Sequence, residues 1–302
     1  MVDRKDKRGG ATSSRNSSHT PKDSHYARLR RAHRDLKAGE EKAGGQAVHR
    51  PRPKIDASDG PDGLVRLYGL HTVRAALHNP ARKIRKMLVT RNAAERLEIA
   101  DLAALPFPTE MVEPRDIDRL TGSDAVHQGV LIEAEPLKAK RLDALGDTNL
   151  VLVLDQVTDP HNVGAILRSA VAFGAGALIT TARHSPAESG VLAKSASGAL
   201  EHIDHIEVRN LAEALGELHD AGFQTIGLDS DGPAELEKTF AGKKIALVLG
   251  AEGKGLRQKT RETVTALARL DMPGAIRSLN VSNAAAVSLY AAGKWLGALP
   301  SP

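Results

Sequence analysis

The chain has 302 residues, 41% of them hydrophobic but only 3% aromatic, so its cores must be built from Ala, Val, Leu and Ile. It contains no cysteine, which excludes disulfides and thiolate metal sites, and no apolar run approaches the roughly 18 residues that span a membrane. The formal charge of +5 is uneven: residues 1–63 carry 15 of the 42 basic and 9 of the 37 acidic residues, a net of +6, and the rest of the chain nets −1.

Residues 1–63 read as a disordered basic arm. After Val2 its only large apolar residues are Tyr26, Leu29, Leu36, Val48 and Ile55, too few to bury a core. Residues 26–37 have the composition of a basic helix that forms on an anionic partner, and such an arm is a common handle on nucleic acid. The opening residues are charged, Asp3 and Asp6 among them, with no apolar signal core, so neither a secretory nor a transit peptide is expected. A cytoplasmic location follows as the expectation.

Residues 64–135 read as a small α/β unit. A short strand at 65–69 leads into a helix over 71–78, stopped by Asn79-Pro80. A strand at 84–90, a helix over 92–104 and strands at 111–112 and 130–132 follow. Arg82, Lys83, Arg85, Lys86, Arg91 and Arg96 form a local basic cluster, which suits either a solvated face or RNA. His127-Gln128-Gly129 precedes the last strand and either closes a turn or contacts RNA. Residues 136–148, with Pro136, Lys138, Lys140, Arg141 and Gly146, read as a linker.

From residue 149 the pattern becomes apolar strands alternating with helices. Strands are expected at 150–154, 177–180, 203–208, 223–228, 245–249 and 267–272. Helices are expected at 162–173, 188–199, 211–221 and 280–299. Buried strands joined by helical crossovers predict a parallel α/β sheet with helices on both faces. Ligands in such sheets sit at the carboxyl ends of the strands.

Three strand-end loops hold the polar residues. In the first, Asp159-Pro160 makes a turn and Asn162 is a helix-cap type, with Arg168 six residues on. The second is Gly250-Ala251-Glu252-Gly253-Lys254-Gly255, whose glycines let backbone approach a ligand closely. It lacks both the dinucleotide-binding spacing and the Gly-Lys-Ser/Thr ending of a phosphate loop. The third runs from Leu270 through the Pro273-Gly274 turn to Ser278, Leu279, Asn280, Ser282 and Asn283, all but Leu279 cap types, and into an Ala-rich helix. That helix keeps Val287, Leu289, Tyr290, Trp295 and Leu296 on more than one face, so one face needs a partner.

Together, Asp159-Pro160-His161-Asn162-Val163-Gly164 with Arg168, Leu249-Gly250-Ala251-Glu252-Gly253-Lys254-Gly255, and Met272-Pro273-Gly274 with Ser278-Leu279-Asn280-Val281-Ser282 resemble the three motifs of the SpoU/TrmH family. These are RNA ribose 2′-O-methyltransferases of the SPOUT superfamily. Leu67-Tyr68-Gly69-Leu70-His71 and His127-Gln128-Gly129-Val130 resemble the small RNA-binding domain of the family's rRNA guanosine methyltransferases. The resemblance implies a methyltransferase domain over 149–302 with a C-terminal trefoil knot, an exception to the rule that chains do not thread loops. It also implies a homodimer and S-adenosylmethionine as cofactor, with no metal. By matching positions, Gly250, Leu270 and Leu279 would contact the cofactor, and Asn162, Arg168, Glu252, Ser278 and Asn280 would form the catalytic group. The implied substrate is structured RNA, most directly a guanosine of 23S rRNA, with tRNA the alternative.

The family mechanism gives Arg168 the base role, which is difficult for a guanidinium of pKa above about 12. Arg168 is better read as orienting phosphate or ribose and stabilising developing negative charge, with His161 the rival base. Two other readings stand beside the enzyme. One is an RNA-binding protein with a degenerate site, which the intact Asn162, Arg168, Glu252, Ser278 and Asn280 disfavour. The other is a Rossmann-type methyltransferase, which would need an acidic residue after the second strand, where Thr181-Ala182-Arg183 stands.

Overall fold

The computed structural model describes residues 60–298. The expected basic arm and its helix over 26–37 lie almost wholly outside the described residues. A 3-10 turn, Pro61–Gly63, leads into the first strand.

Residues 65–134 form a four-stranded sheet of order β1-β4-β2-β3, with β1 at Val65–Tyr68, β2 at Ile84–Val89, β3 at Thr109–Met111 and β4 at Val130–Ala134. β4 is antiparallel to both neighbours, while β2 and β3 run parallel. Helices α1 (Leu70–His78) and α2 (Arg91–Arg96) cover one face through Val73, Ala76, Ala93 and Ala94. The other face packs Ile117 of α3 (Pro114–Thr121). The helix expected over 92–104 stops at Arg96. Glu98 takes a φ of +61°, which breaks the spiral, and a separate 3-10 turn, Leu102–Ala104, restarts on the Asp101 side chain. α3 was not expected, although Pro114 at its first position and the Asp116 carboxylate accepting the Glu113 N–H are ordinary start signals.

The second sheet has seven strands, all parallel, in the order β7-β6-β5-β10-β8-β11-β9. In chain order its elements are β5 (Leu150–Asp155), α4 (Pro160–Ala172), β6 (Ala177–Thr181), α5 (Gly190–Ala196), β7 (Asp204–Val208), α6 (Leu211–Asp220), β8 (Gln224–Leu228) and β9 (Ala234–Glu235). They continue with α7 (Leu236–Thr239), β10 (Ile245–Gly250), α8 (Gln258–Thr263), β11 (Ala266–Arg269) and α9 (Val281–Ala298). The period-2 alternation of β5 builds two cores. Leu150, Leu152 and Leu154 face α4, α5 and α9, while Val151 and Val153 face α6. Each such fully buried side chain contributes about 1.5–3 kcal/mol, so the centre of this sheet is its most stable part.

Two local readings change. The helix α4 is capped by Asp159, whose carboxylate accepts the His161 N–H at 3.0 Å, and Pro160 fills its first position. Asn162 is therefore two residues inside the helix and not its cap. Residues 136–148 are fastened down and are no free spacer. Lys140 pairs with the β7 edge through its N–H to the His205 carbonyl and its own carbonyl to the Glu207 N–H, and Leu142 and Leu145 pack on the α6-side core. Among the described residues no helix is long and apolar enough to cross a membrane.

Candidate cofactor cleft and catalytic cluster

β5 and β10 pair in register from Leu150↔Ile245 to Asp155↔Gly250, so their two following loops leave the sheet side by side. Asp155 is completely buried there. Its carboxylate accepts the backbone N–H of Arg257 at 3.0 Å and Arg257 Nε at 2.6 Å. Burying a carboxylate without such charged and hydrogen-bonding partners would be costly. The pair ties the end of the glycine loop back to β5.

The glycine loop closes on itself. Gly255 N–H donates to the Ala251 carbonyl at 2.8 Å, and Gly253 and Gly255 both have positive φ. A Cβ on Gly250 would stand 2.1–2.3 Å from backbone atoms of Gly255 and Leu256. The close approach that requires glycine at 250 is thus to the loop's own backbone, and the loop's shape depends on it.

The loop at 270–280 completes the site. Arg277 Nη1 donates to the Met272 carbonyl at 3.1 Å and holds the turn. Asn280 starts α9: its Oδ1 accepts from the Ser282 N–H at 2.8 Å and the Ser282 hydroxyl at 2.6 Å, and its carbonyl accepts the Ala284 N–H. The other end of the same amide, Nδ2, donates to Asn162 Oδ1 at 3.0 Å. One side chain therefore caps a helix and joins the first loop to the third.

Between these loops lies a cleft of about 520 Å³ at the carboxyl ends of β8 and β10. Leu228, Leu249, Leu270 and Leu279 line it with apolar surface, and Asp229, Ser230 and the backbone of Gly250 supply polar groups. Asp229 is itself paired with Arg261 of α8. Glu252, Ser278 and Asn280 stand on the same wall. Glu252 and Ser278 are exposed, and neither has a side-chain polar partner among the described residues.

Asn162 reaches this group through Asn280. Arg168 does not. It lies nearly two turns further along α4, exposed, outside the cleft and without a polar partner among the described residues. His161 is exposed, with Nδ1 3.3 Å from the Ser195 hydroxyl of α5. In the small unit His127 closes a turn: Nδ1 accepts the Gly129 N–H at 3.1 Å and Nε2 lies 3.0 Å from Asp118. Asp155, Arg257, Asp229 and Arg261 were missed from the sequence. The readable signal was Asp155 ending an apolar strand and Arg257 following a glycine loop, where unpaired charges would be costly.

A doubly covered parallel sheet with a cleft of this size at its carboxyl edge defines a small-molecule-binding α/β domain, here joined to a smaller α/β unit. The sequence profile of the SpoU rRNA methylase family matches residues 149–290, and that of the RNA 2′-O ribose methyltransferase substrate-binding domain matches residues 66–139. The chain belongs to the SpoU family of RNA methyltransferases. It is 39% identical over 242 residues to the 23S rRNA (guanosine-2′-O-)-methyltransferase RlmB of Ralstonia nicotianae, covering 78% of this chain and 97% of that protein. It is 36% identical to the RlmB of Pseudomonas putida, covering 76% of this chain and 96% of that protein. Its fold is that of the SpoU methyltransferase AviRb from Streptomyces viridochromogenes, solved in complex with AdoMet (TM-score 0.67, 23% identity, 80% of this chain and 96% of that one). Among the described residues no group of three or more His, Asp or Glu is gathered as a metal site.

Proposed function

We propose that this protein methylates the ribose 2′-hydroxyl of a guanosine in 23S rRNA, using S-adenosylmethionine. The observation that carries the reading is the Asn162–Asn280 hydrogen bond, which brings the first and third motif loops together at the mouth of the cleft. Support for the substrate comes from relatives of that activity at 34–39% identity along nearly their whole length.

The cleft fits the cofactor on its own features. Its volume lies in the roughly 300–1,000 Å³ range of small-molecule sites. Leu228, Leu249, Leu270 and Leu279 offer apolar walls to a nucleobase, and Asp229, Ser230 and the loop backbone offer polar groups to a ribose and an amino acid. Gly250, Leu270 and Leu279 are the residues assigned to hold it. When bound, S-adenosylmethionine supplies a methyl group already activated by its sulfonium. The protein's work is then to place the hydroxyl in line, exclude water and help the proton leave. The Asn162–Asn280 pair and Ser278 orient the ribose. Arg168 holds phosphate and stabilises developing negative charge as a permanent cation. Glu252 accepts hydrogen bonds from the nucleotide at the rim.

Arg168 joins this group when a second copy of the chain covers it. Phe173, Val287 and Tyr290 are exposed by 37%, 46% and 54%, and Phe173 meets Tyr290 edge to face at 5.8 Å, so the C-terminal end of α4 and α9 share one apolar strip. By contrast Leu289 is buried and Trp295 stacks on Phe240 with Nε1 bonded to the Gly242 carbonyl. These are satisfied within the chain. The apolar strip supports a homodimer through α4 and α9. The trefoil knot belongs to the same reading and rests on family membership. The unit at 64–135 serves as the RNA-binding part and residues 1–63 as a basic arm on RNA, and the reading extends to a cytoplasmic location, supported by the rRNA named in its relatives' activity.

The test is transfer of labelled methyl from S-adenosylmethionine to unmodified 23S rRNA by the full chain. Label appearing at a ribose 2′-oxygen of a guanosine supports the reading. Label on a base, or calorimetry showing no cofactor binding to the folded chain, contradicts it.

A further inference from the structure

The substrate-binding unit is joined to the methyltransferase unit by far more than residues 136–148. We infer that it is docked in cis on α5 and the 3-10 turn Ala199–Glu201 as a rigid arm, with Arg82 and Lys194 as the positioning residues that set its angle to the cofactor cleft. The inference rests on the proposed function only for what the docked arm presents, namely RNA.

Arg82 is the first anchor. Its side chain, from the small unit, is completely buried. Nη2 lies 2.6 Å from Glu201 Oε1 and Nη1 lies 2.7 Å from Glu188 Oε1, both carboxylates from the methyltransferase unit. Nη1 also donates to the Glu135 carbonyl at 3.0 Å, and Asn79 Nδ2 donates to Glu201 Oε2 at 2.6 Å. The linker joins in, with the Leu137 N–H on Glu188 Oε2 at 2.8 Å. A guanidinium removed from water between two carboxylates has one low-energy place, because moving it strands buried charge.

Lys194 of α5 is the second anchor. Nζ donates to Gln128 Oε1 at 3.0 Å, and the same oxygen accepts the Leu70 N–H at 3.1 Å. A Cβ at Gly69, whose φ is +90°, would stand 2.4 Å from Lys194 Nζ. The Tyr68-Gly69-Leu70 and His127-Gln128-Gly129 segments thus build a socket for a lysine of the other unit.

Between the anchors the contact is buried and close-packed. Thr72 Oγ1 donates to the Ala193 carbonyl at 3.2 Å in a buried bond, and Ala193 is part of the small unit's own core, with Leu200 packed on it. A Cβ on Gly190 would meet the Arg66 carbonyl at 2.5 Å, and one on Gly198 would meet Ala75 Cβ at 2.9 Å. The docking helix continues the path inward. Gly164 of α4 presses on Leu192 and Ser195 of α5, Ser195 holds His161, and the neighbouring Asn162 holds Asn280. A tethered domain that sampled many angles would need none of these contacts.

The absence of native cysteine allows a direct test. Glu95→Cys on α2 and Glu217→Cys on α6, both exposed, take spin labels for an interdomain distance distribution in the full chain. One narrow peak, the same with and without 23S rRNA, is expected. Lys194→Met, and the triple variant Arg82→Met/Glu188→Gln/Glu201→Gln that removes every buried charge together, should broaden the peak. Lys194→Arg should keep it narrow. In the broadened variants KM for 23S rRNA should rise at least about tenfold while cofactor affinity stays within about twofold. A broad distribution in the unsubstituted chain overturns the dock, as does a narrow peak that survives both disruptive variants. Unchanged KM in a variant with a broadened peak overturns the positioning role. The distances need no turnover, so a chain that methylates nothing would refute the proposed function and leave the dock standing or falling on its own peak.

Discussion

Asn280 uses both ends of one amide, and this makes it separable by substitution. Asn280→Asp keeps the oxygen that caps α9 but cannot donate to Asn162. Its melting temperature should stay near that of the parent, while turnover falls roughly a hundredfold from lost alignment. Asn280→Ala loses the cap as well, at a further cost of about 1 kcal/mol in stability. Equal turnover in Asn280→Asp and the parent would remove the amide pair from the mechanism. Arg168 is tested beside it: Arg168→Ala should cut the single-turnover rate with little change in cofactor affinity, and Arg168→Lys should rescue poorly because it lacks the planar fork. Loss of rate in His161→Ala with a mild effect for Arg168→Ala would give the base role to histidine. Glu188 carries a pH signature. Burial raises its pKa above the usual 4.5, and the Arg82 charge opposes this only in part. Glu188 Oε1 lies 2.7 Å from Arg82 Nη1. The folded state therefore binds the proton more tightly than the unfolded state, so the ionised group weakens stability above its raised pKa and that loss fades as pH falls through it. Glu188→Gln should be relatively most stabilising at pH 8 and lose its advantage toward pH 5 in thermal unfolding. An advantage that grows on acidification would contradict this.

At the scale of elements, the glycine loop is tied back to β5 through Asp155 and Arg257, and the loop at 270–280 to α4 through Asn280 and Asn162. Gly250→Ala places a methyl against backbone that has no flexible end to yield. It should weaken cofactor binding at least about tenfold, read by calorimetry, with far-ultraviolet circular dichroism unchanged. Unchanged affinity would mean the loop does not form the pocket. The strands of the large sheet were legible because β5 and β10 are apolar runs that end on Asp155 and Gly250, and Gly176 and Gly222 mark the turns before β6 and β8. The capping Asn280 and the three motif loops were equally plain. The Asp155–Arg257 and Asp229–Arg261 pairs were not, because their partners lie 102 and 32 residues apart and only the register of parallel strands brings them together. Arg82 was hidden for a related reason. Among six clustered cations it looks like any other, yet Lys83 and Arg85 share Glu135 at the surface, Lys86 meets Glu110, and Arg82 alone of these is buried.

At the scale of the molecule, the exposed strip of Phe173, Val287 and Tyr290 predicts association. Tyr290→Glu should halve the mass seen by light scattering at micromolar concentration and abolish turnover, if Arg168 works only in a covered interface. A parent chain that is already monomeric would refute it. Deleting residues 1–59 should weaken RNA binding and flatten its salt dependence, because it removes a net charge of +7 that would release phosphate counterions, and it should leave cofactor affinity unchanged. The central claim is that this cleft and its amide pair deliver a methyl to one ribose oxygen. Its most direct test is a map of 2′-O-methyl groups along 23S rRNA after reaction with the purified chain and S-adenosylmethionine. A single new mark on a guanosine, absent when Asn280→Asp replaces the parent, is the result expected. Marks scattered over many riboses, or the same mark made equally by Asn280→Asp, would contradict it.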